Sequence, residues 1–243
     1  MRQCYTEFMT KQEFKEALEA RHLTISDHQL EQFETYLHLL QEWNEKMNLT
    51  AITAEEEVWE KHFLDSVLPF LDQPFETMAD VGSGAGFPGI PVAILFPERK
   101  MTLIEPLTKR CKFLNEVKDQ LHLDNVTILN RRAEEAVKEH REEYDLVSAR
   151  AVARLSILLE LVTPLLKTGG IFIALKGPAG HDELKAAAPA LKTLAMQLEK
   201  EQTEEEGDST RLNLYFKKMK STPARYPRAY GQIKKKPMEE SNV

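Results

Sequence analysis

The first third of the chain is polar, with apolar residues recurring every three or four positions. Phe14 and Leu18, then Leu30, Phe33, Leu37 and Leu40, fall on single helical faces. Thr10 with Glu13, Ser26 with Gln29 and Thr53 with Glu56 have the spacing of capping boxes that open helices. Asn48-Leu49-Thr50 interrupts the pattern and predicts a loop, after which helical spacing resumes from about Ala54 to Leu71. At Thr77 the pattern changes to short apolar runs separated by amphipathic stretches. Met78–Val81, Met101–Glu105, Val126–Leu129, Tyr144–Val147 and Ile171–Leu175 are predicted strands. Leu107, Cys111, Leu114, Val117 and Leu121 mark one intervening helix, and Ile157–Leu166, closed by Gly169-Gly170, marks another. After an amphipathic stretch near 181–200, Arg211–Phe216 reads as a late strand paired with a segment before Gly207, and the acidic stretch from Glu199 to Asp208 as an exposed turn. Repeated strand–helix units of this length imply an α/β fold: a mostly parallel sheet with helices on both faces.

Three regions follow: a helical extension over 1–72, a sheet-based core over 73–220 and a tail over 221–243, all integrated into one domain. The 243 residues are ample for a core of this kind. No apolar run approaches a membrane span, and the N-terminus lacks a signal-peptide core, so a cytoplasmic location and no membrane partner are expected. Cys4 and Cys111 are the only cysteines and make neither a disulfide framework nor a metal site. His62 and Asp65 lie three apart on a helix. Without a third ligand at suitable spacing they suggest a core or capping role, or an active-site wall, rather than metal binding.

The net charge of −7 argues at first against a nucleic-acid partner. Its distribution changes that. Residues 1–77 hold 6 basic and 16 acidic residues, whereas 211–243 hold 9 basic and 2 acidic. The tail, with Lys234-Lys235-Lys236, is either a solvated charge run or a phosphate-binding arm. Tyr226 and Tyr230, interleaved with Arg228, favour the arm, since rings can stack on unpaired bases.

The densest chemical signal is Asp80-Val81-Gly82-Ser83-Gly84-Ala85-Gly86-Phe87-Pro88-Gly89. It follows the first strand and opens a helix, with Pro88 suited to the helix start, and its glycines permit close approach of a ligand to backbone. Glu105 ends the next strand, where a carboxylate can accept both ribose hydroxyls of a nucleoside. A dinucleotide and S-adenosylmethionine (SAM) are the two candidates. Asp80, directly before the glycines, would repel a pyrophosphate and suit the cationic amino group of SAM. It could equally hold the loop through backbone N–H groups, and the two roles are compatible.

Several runs together resemble the ribosomal RNA small subunit methyltransferase G family, also called glucose-inhibited division protein B. They are Glu42-Trp43-Asn44 with Asn48-Leu49-Thr50, His62-Phe63-Leu64-Asp65-Ser66, Asp80 to Pro91, Arg132-Ala133-Glu134-Glu135, Ala149 to Arg154, Lys176-Gly177 and Tyr226-Pro227-Arg228. The resemblance spans nearly the whole chain in order. It implies a class I SAM-dependent methyltransferase fold (Rossmann-like), with a seven-stranded sheet ending in an antiparallel hairpin. It implies methyl transfer from SAM to N7 of one guanine in 16S ribosomal RNA, leaving S-adenosylhomocysteine (SAH). Cofactor contacts are then expected from Asp80, Gly82, Ser83, Gly84, Gly86, Phe87, Glu105, Ala133, Glu134 and Arg150. Glu134 is equally explained as an acid favoured at a helix N-terminus. Glu105 stands where other members can carry Asp, a swap that keeps the hydroxyl-accepting role.

The chemistry agrees. Guanine N7 carries an in-plane lone pair and no proton, so in-line attack needs no general base and catalysis reduces to positioning and electrostatics. After the fourth strand stands Ser148-Ala149-Arg150, not the Asn/Asp-Pro-Pro-aromatic motif of exocyclic-amine methyltransferases. Neither Cys111, on an apolar stripe, nor Cys4 suits cytosine C5 chemistry. Lys176 alone does not make a ribose 2′-O site. Arg150, at the carboxyl end of the fourth strand, is expected to position substrate or SAM, by guanine O6, a phosphate or the cofactor, unless it serves a structural ion pair. Arg154, Lys176, Arg228, Lys234, Lys235 and Lys236 are the expected RNA contacts. The partner is 16S rRNA, as naked RNA or within a small-subunit particle, and the protein is expected to be a monomer. A small-molecule methyltransferase, a nicotinamide oxidoreductase and a non-catalytic ribosome-binding factor are the competing readings.

Overall fold

The computed structural model describes residues 9–206 and 209–240, with side chains of 204–210 excepted. Cys4 and the last two residues of the expected turn, Gly207-Asp208, lie outside the described residues. The N-terminal extension begins with α1 (Lys11–Glu19) and α2 (Asp27–Met47), each opened by the capping box read from the sequence, at Thr10/Glu13 and Ser26/Gln29. Leu30, Phe33, Tyr36, Leu37 and Leu40 form the buried stripe of α2. Asn48, at φ 48°, ends α2 in the left-handed conformation that Asn tolerates. The helical stretch expected from Ala54 to Leu71 is a composite: α3 (Glu55–Glu57), a π-helical segment (Val58–Leu64), α4 (Asp65–Val67) and a 3₁₀ turn (Leu68–Phe70). Its N-cap is Ala54, without a side-chain cap bond, so the expected Thr53/Glu56 box does not form.

The core is a seven-stranded sheet in the order β3-β2-β1-β4-β5-β7-β6. The strands are β1 (Thr77–Val81), β2 (Lys100–Ile104), β3 (Val126–Leu129), β4 (Tyr144–Arg150), β5 (Leu166–Lys176), β6 (Met196–Glu206) and β7 (Ser209–Lys218). β1 to β5 are parallel, while β7 runs antiparallel between β5 and β6. This is the sheet and closing hairpin that the resemblance implied. α5 (Gly89–Leu95) and α6 (Thr108–Gln120) join the N-terminal helices on one face. α7 (Ala133–Ala136), α8 (Leu155–Val162), α9 (Gly180–Ala186), α10 (Ala188–Leu194) and α11 (Tyr230–Lys235) lie on the other or along its rim. Among the described residues no helix is long and apolar enough to cross a membrane.

Alternation along the strands sets which side chain faces which layer. Met78, Leu146, Ile173 and Tyr215 pack with the N-terminal extension, whereas Ala79, Val147, Phe172 and Phe216 pack with α8 and its neighbours. The same parity puts Asp80, Ser148, Arg150, Arg211 and Asn213 on the side of the extension, a placement that builds the site described below.

Two boundaries differ from expectation for identifiable reasons. The helix expected over Ile157–Leu166 covers Leu155–Val162, then becomes a 3₁₀ turn at Thr163–Leu165 beside Pro164. β5 already begins at Leu166, so Gly169-Gly170 lies inside a strand, opposite a register shift in β4. A Cβ at Gly170 would stand 2.8 Å from the Asp145 carbonyl oxygen. The acidic stretch expected as an exposed turn from Glu199 is strand as far as Glu206, paired to β7 from Met196 onward. That ladder pairs one side of its backbone, and β6 is the edge of the sheet, where acidic side chains discourage further pairing.

Candidate functional site

The glycine loop leaves β1 with Gly82, Gly84 and Gly86 at φ 72°, 59° and 102°, in the region that disfavours side chains. Three groups hold it from behind. The Ser83 hydroxyl donates to the Asp80 carbonyl (2.9 Å), and the Tyr36 hydroxyl of α2 donates to the Ala85 carbonyl (2.5 Å). The Asp80 carboxylate accepts from Ser148 Oγ (2.8 Å) and from the Gly89 N–H (3.3 Å). Asp80 is buried, and burial lifts its carboxyl to about pH 6, against the opposing pull of Ser148, Ser83, Gly89 and Arg150. The loop-holding role envisaged for Asp80 is therefore visible in its bonds.

Beside the loop lies a cleft of about 310 Å³ between the ends of β1, β2 and β4. Glu105 sits at its base, buried, with Oε2 accepting from the Gly84 N–H and Oε1 from the Leu107 N–H, both at 2.9 Å. Arg110 approaches the same carboxylate at 3.8 Å. A carboxylate has about four acceptor directions, so two remain for further donors, as a ribose diol would need. Ala133 and Glu134 line the cleft. Leu107 and Val152, two of the few large apolar side chains left exposed among the described residues, line it as well. A buried acid with spare acceptor directions beside uncovered apolar walls has the chemistry to take a nucleoside.

A second cleft, of about 540 Å³, adjoins the first, with Ala151 and Val152 lining both. Ala151 adopts φ 55°, and Val152 packs so closely on the loop that a Cβ at Gly82 would stand 2.5 Å from its Cγ2. Arg150 lines this cleft and is tied to the N-terminal extension. It donates to the Lys61 carbonyl (3.0 Å) and Ser66 Oγ (3.2 Å), pairs with Asp65 (3.2 Å), and stands 5.9 Å above the Phe87 ring. Arg211 of β7 pairs with the same Asp65 and also donates to the Lys61 carbonyl (3.4 Å). His62 stacks on Phe87 with centroids 4.3 Å apart, contacts Arg150 through Nδ1 (3.3 Å) and Thr50 Oγ1 through Nε2 (2.8 Å). Of the roles weighed for the pair, Asp65 lines the larger cleft, whereas His62 is buried behind it and takes the core role. Asp65 is a carboxylate shared by two arginines.

Burial, reinforced by Arg150 and then Arg211, lowers the His62 pKa to about 3, against a hydrogen bond at Lys61 that opposes it. The linkage has a definite sign. The unfolded imidazole takes a proton below about pH 6.5 and the folded one does not, so this group's contribution to stability is lost as pH falls. Between about pH 6 and pH 4 that loss is expected at about 1.4 kcal/mol per pH unit. Asp80, lifted to about 6 in the fold, contributes with the opposite sign over the same range, so the test is the difference between proteins: in denaturant titrations the stability of the unaltered protein should fall relative to that of His62→Gln as pH drops from about 6 to about 4. Equal slopes would disprove a neutral buried imidazole.

The expected RNA contacts are distributed unevenly. Lys176 lines the larger cleft but is nearly buried, bonded to the Ala153 carbonyl (2.7 Å) and Glu183 (2.6 Å). Arg154 is half exposed and pairs with Glu239 at 2.9 Å. Arg228 grips the fully buried Glu160 of α8 through its backbone N–H (2.9 Å), Nε (2.8 Å) and Nη2 (2.6 Å). Lys234, Lys235 and Lys236 on and after α11 are exposed. Residues 221–240 pack back on the core rather than projecting from it. Arg141 donates to the Thr222, Pro223 and Tyr226 carbonyls, and Ile233 is fully buried.

The residues not anticipated at the site are Arg211 and Asn213 of β7, Glu183 of α9, and Arg110, Arg132 and Tyr230 at the smaller cleft. In β7 a signal is present: polar Arg211 and Asn213 alternate with Leu212 and Leu214 at the start of a strand buried from 212 to 216.

Comparison with known proteins agrees with this geometry. The family model described as rRNA small subunit methyltransferase G (GidB) matches residues 29–212. The ribosomal RNA small subunit methyltransferase G of Lysinibacillus sphaericus is 48% identical over 240 residues, covering 95% of this chain and all of the relative. That of Bacillus cytotoxicus is 47% identical over 239 residues, covering 96% and all of it. Among solved structures, M. jannaschii TYW2 in complex with AdoMet superposes with a TM-score of 0.50 at 16% identity, over 62% of this chain and 72% of that one. That likeness concerns the fold alone. With a family match over most of its length and near-complete relatives at almost half identity, the chain belongs to the rRNA small subunit methyltransferase G family.

Proposed function

We propose that the protein is a SAM-dependent enzyme that methylates N7 of a guanine in 16S ribosomal RNA, with no general base. The observation that carries this reading is the condition of the acids in the larger cleft. Asp65 is shared between Arg150 and Arg211, and Glu183 accepts from Lys176 and from the Leu155 N–H (2.7 Å). Each lining carboxylate is bonded to a cation, a poor arrangement for removing a proton and a suitable one for a nucleophile that has none to lose. When bound, SAM supplies a methyl group on a sulfonium, and the C–S electron pair departs with SAH as the N–C bond forms.

In this reading Glu105 accepts the ribose hydroxyls and Ala133 and Glu134 flank the adenine. The glycine loop receives the remainder of the cofactor against its backbone. Arg150 positions the target nucleotide by donating to guanine O6 or a flanking phosphate, and Arg211, on the same Asp65, fixes Arg150's surroundings. Lys234, Lys235 and Lys236 engage the RNA backbone. The thiol of Cys111 donates to the Glu105 carbonyl (3.1 Å), and burial with nearby Glu105 raises its pKa, so it is ill suited to the covalent route of cytosine C5 methylation.

The test is to incubate 16S rRNA and intact small subunits, both lacking the modification, with enzyme and SAM. N7-methylguanine is then mapped by borohydride and aniline cleavage. One strong cleavage at a single guanine is expected. Methyl incorporation without cleavage would overturn the N7 assignment.

A further inference from the structure

The tail over 221–240 carries most of the expected RNA-binding positions, yet one of its side chains lies elsewhere. Tyr230, the first residue of α11, lines the smaller cleft together with Glu105, Leu107 and Ala133. Its ring lies under the Arg132 guanidinium, 5.2 Å from ring centroid to Cζ, and Arg132 lines the same cleft. The ring is held there from both sides in sequence. Two residues before it, Arg228 clamps the fully buried Glu160. Three residues after it, Ile233 is buried against the layer containing α8. Farther on, Glu239 accepts from Ser156 Oγ (2.5 Å) and pairs with Arg154. An aromatic ring braced by a cation and fixed at both ends is a preorganised wall, and its face is the surface a flat heterocycle would cover.

We infer that the C-terminal tail completes the cofactor site, with Tyr230, braced by Arg132, forming the wall against which the adenine of SAM packs, and Arg228 acting as the positioning residue that holds it. This rests on the reading that SAM is the cofactor. It assigns cofactor binding to a segment that lies beyond the matched family region, which ends at residue 212.

The experiment is calorimetric titration of the full chain with SAH, with no RNA present. Ring–heterocycle packing of this kind is worth a Kd change of about tenfold. Tyr230→Ala should therefore raise the SAH Kd by about tenfold, while Tyr230→Phe, which keeps the ring, should stay within about twofold of the unaltered protein. Arg228→Ala should move in the same direction as Tyr230→Ala. Thermal unfolding without ligand separates lost packing from lost fold. If Tyr230→Ala proves unfolded, Arg132→Ala reports on the exposed side of the same wall and should weaken SAH binding. Glu105→Ala serves as the reference for the cofactor reading. Loss of SAH binding there, with wild-type affinity in Tyr230→Ala, would overturn this inference and leave the reading intact. An unaltered protein that takes up no SAH would overturn both.

Discussion

Arg150→Ala is expected to reduce single-turnover methyl transfer by about 10²–10³-fold, the range seen when one preorganised electrostatic donor is removed from a site. SAH affinity should change far less, since Arg150 lines the larger cleft and not the smaller one around Glu105. The fold should survive. Asp65 keeps Arg211, the Lys61 carbonyl keeps its bond from Arg211, and the contacts to Ser66, His62 and the Phe87 ring are lost. A stability loss of about 2 kcal/mol is the expected scale for charge-assisted bonds of this number. Arg150→Lys should recover little activity. One ammonium cannot reproduce the fork that reaches Ser66 and Asp65 through Nη1 and Lys61 through Nη2. Full methyl transfer by Arg150→Ala, with the protein folded, would remove Arg150 from the reaction and leave it as a tie between extension and core.

Local physics made much of this molecule legible. The two N-terminal capping boxes, the stripe of α2, the strands from Met78, Met101 and Val126, the glycine loop and Glu105 are all set by neighbours within a few residues. What was hidden depends on distant partners. Thr53 has cap spacing, but the helix begins one residue later. The Glu-rich stretch after Glu199 has turn-like composition, yet pairing with β7 makes it a strand, because a ladder of backbone bonds outweighs a weak local preference. His62 and Asp65 are ambiguous as a pair three apart. Asp65 joins the larger cleft, with His62 buried behind it, only when strand parity brings Arg150 and Arg211 to the same side of the sheet. Glu160 sits within the apolar run Leu155–Val162, and its sequence gives no sign that its partner lies 68 residues later.

That last pair makes the sharpest contrast between expectation and geometry. Arg228 was expected to touch RNA, and its guanidinium is engaged with a carboxylate that has no exposure. Arg228→Ala would leave Glu160 with one backbone N–H as its remaining bond from the tail. Removing one partner of a buried pair costs about 3–5 kcal/mol. Here the arginine is about a quarter exposed, so water can reach part of the vacated site, and about 2–3 kcal/mol is the expected loss. For a chain of this size that corresponds to a Tm lower by roughly 5–10 °C. The charge-free double variant Glu160→Leu with Arg228→Leu should recover much of the loss, because it strands no buried charge. A phosphate contact predicts a different pattern: Arg228→Ala would leave Tm unchanged and reduce the salt dependence of RNA binding by about one unit of slope. Lys234→Ala, at an exposed position with no comparable buried partner, should show that phosphate pattern. Measured side by side, Tm and salt slope separate the anchor from the arm within one tail, and a shifted slope with an unshifted Tm for Arg228→Ala would return this arginine to the RNA.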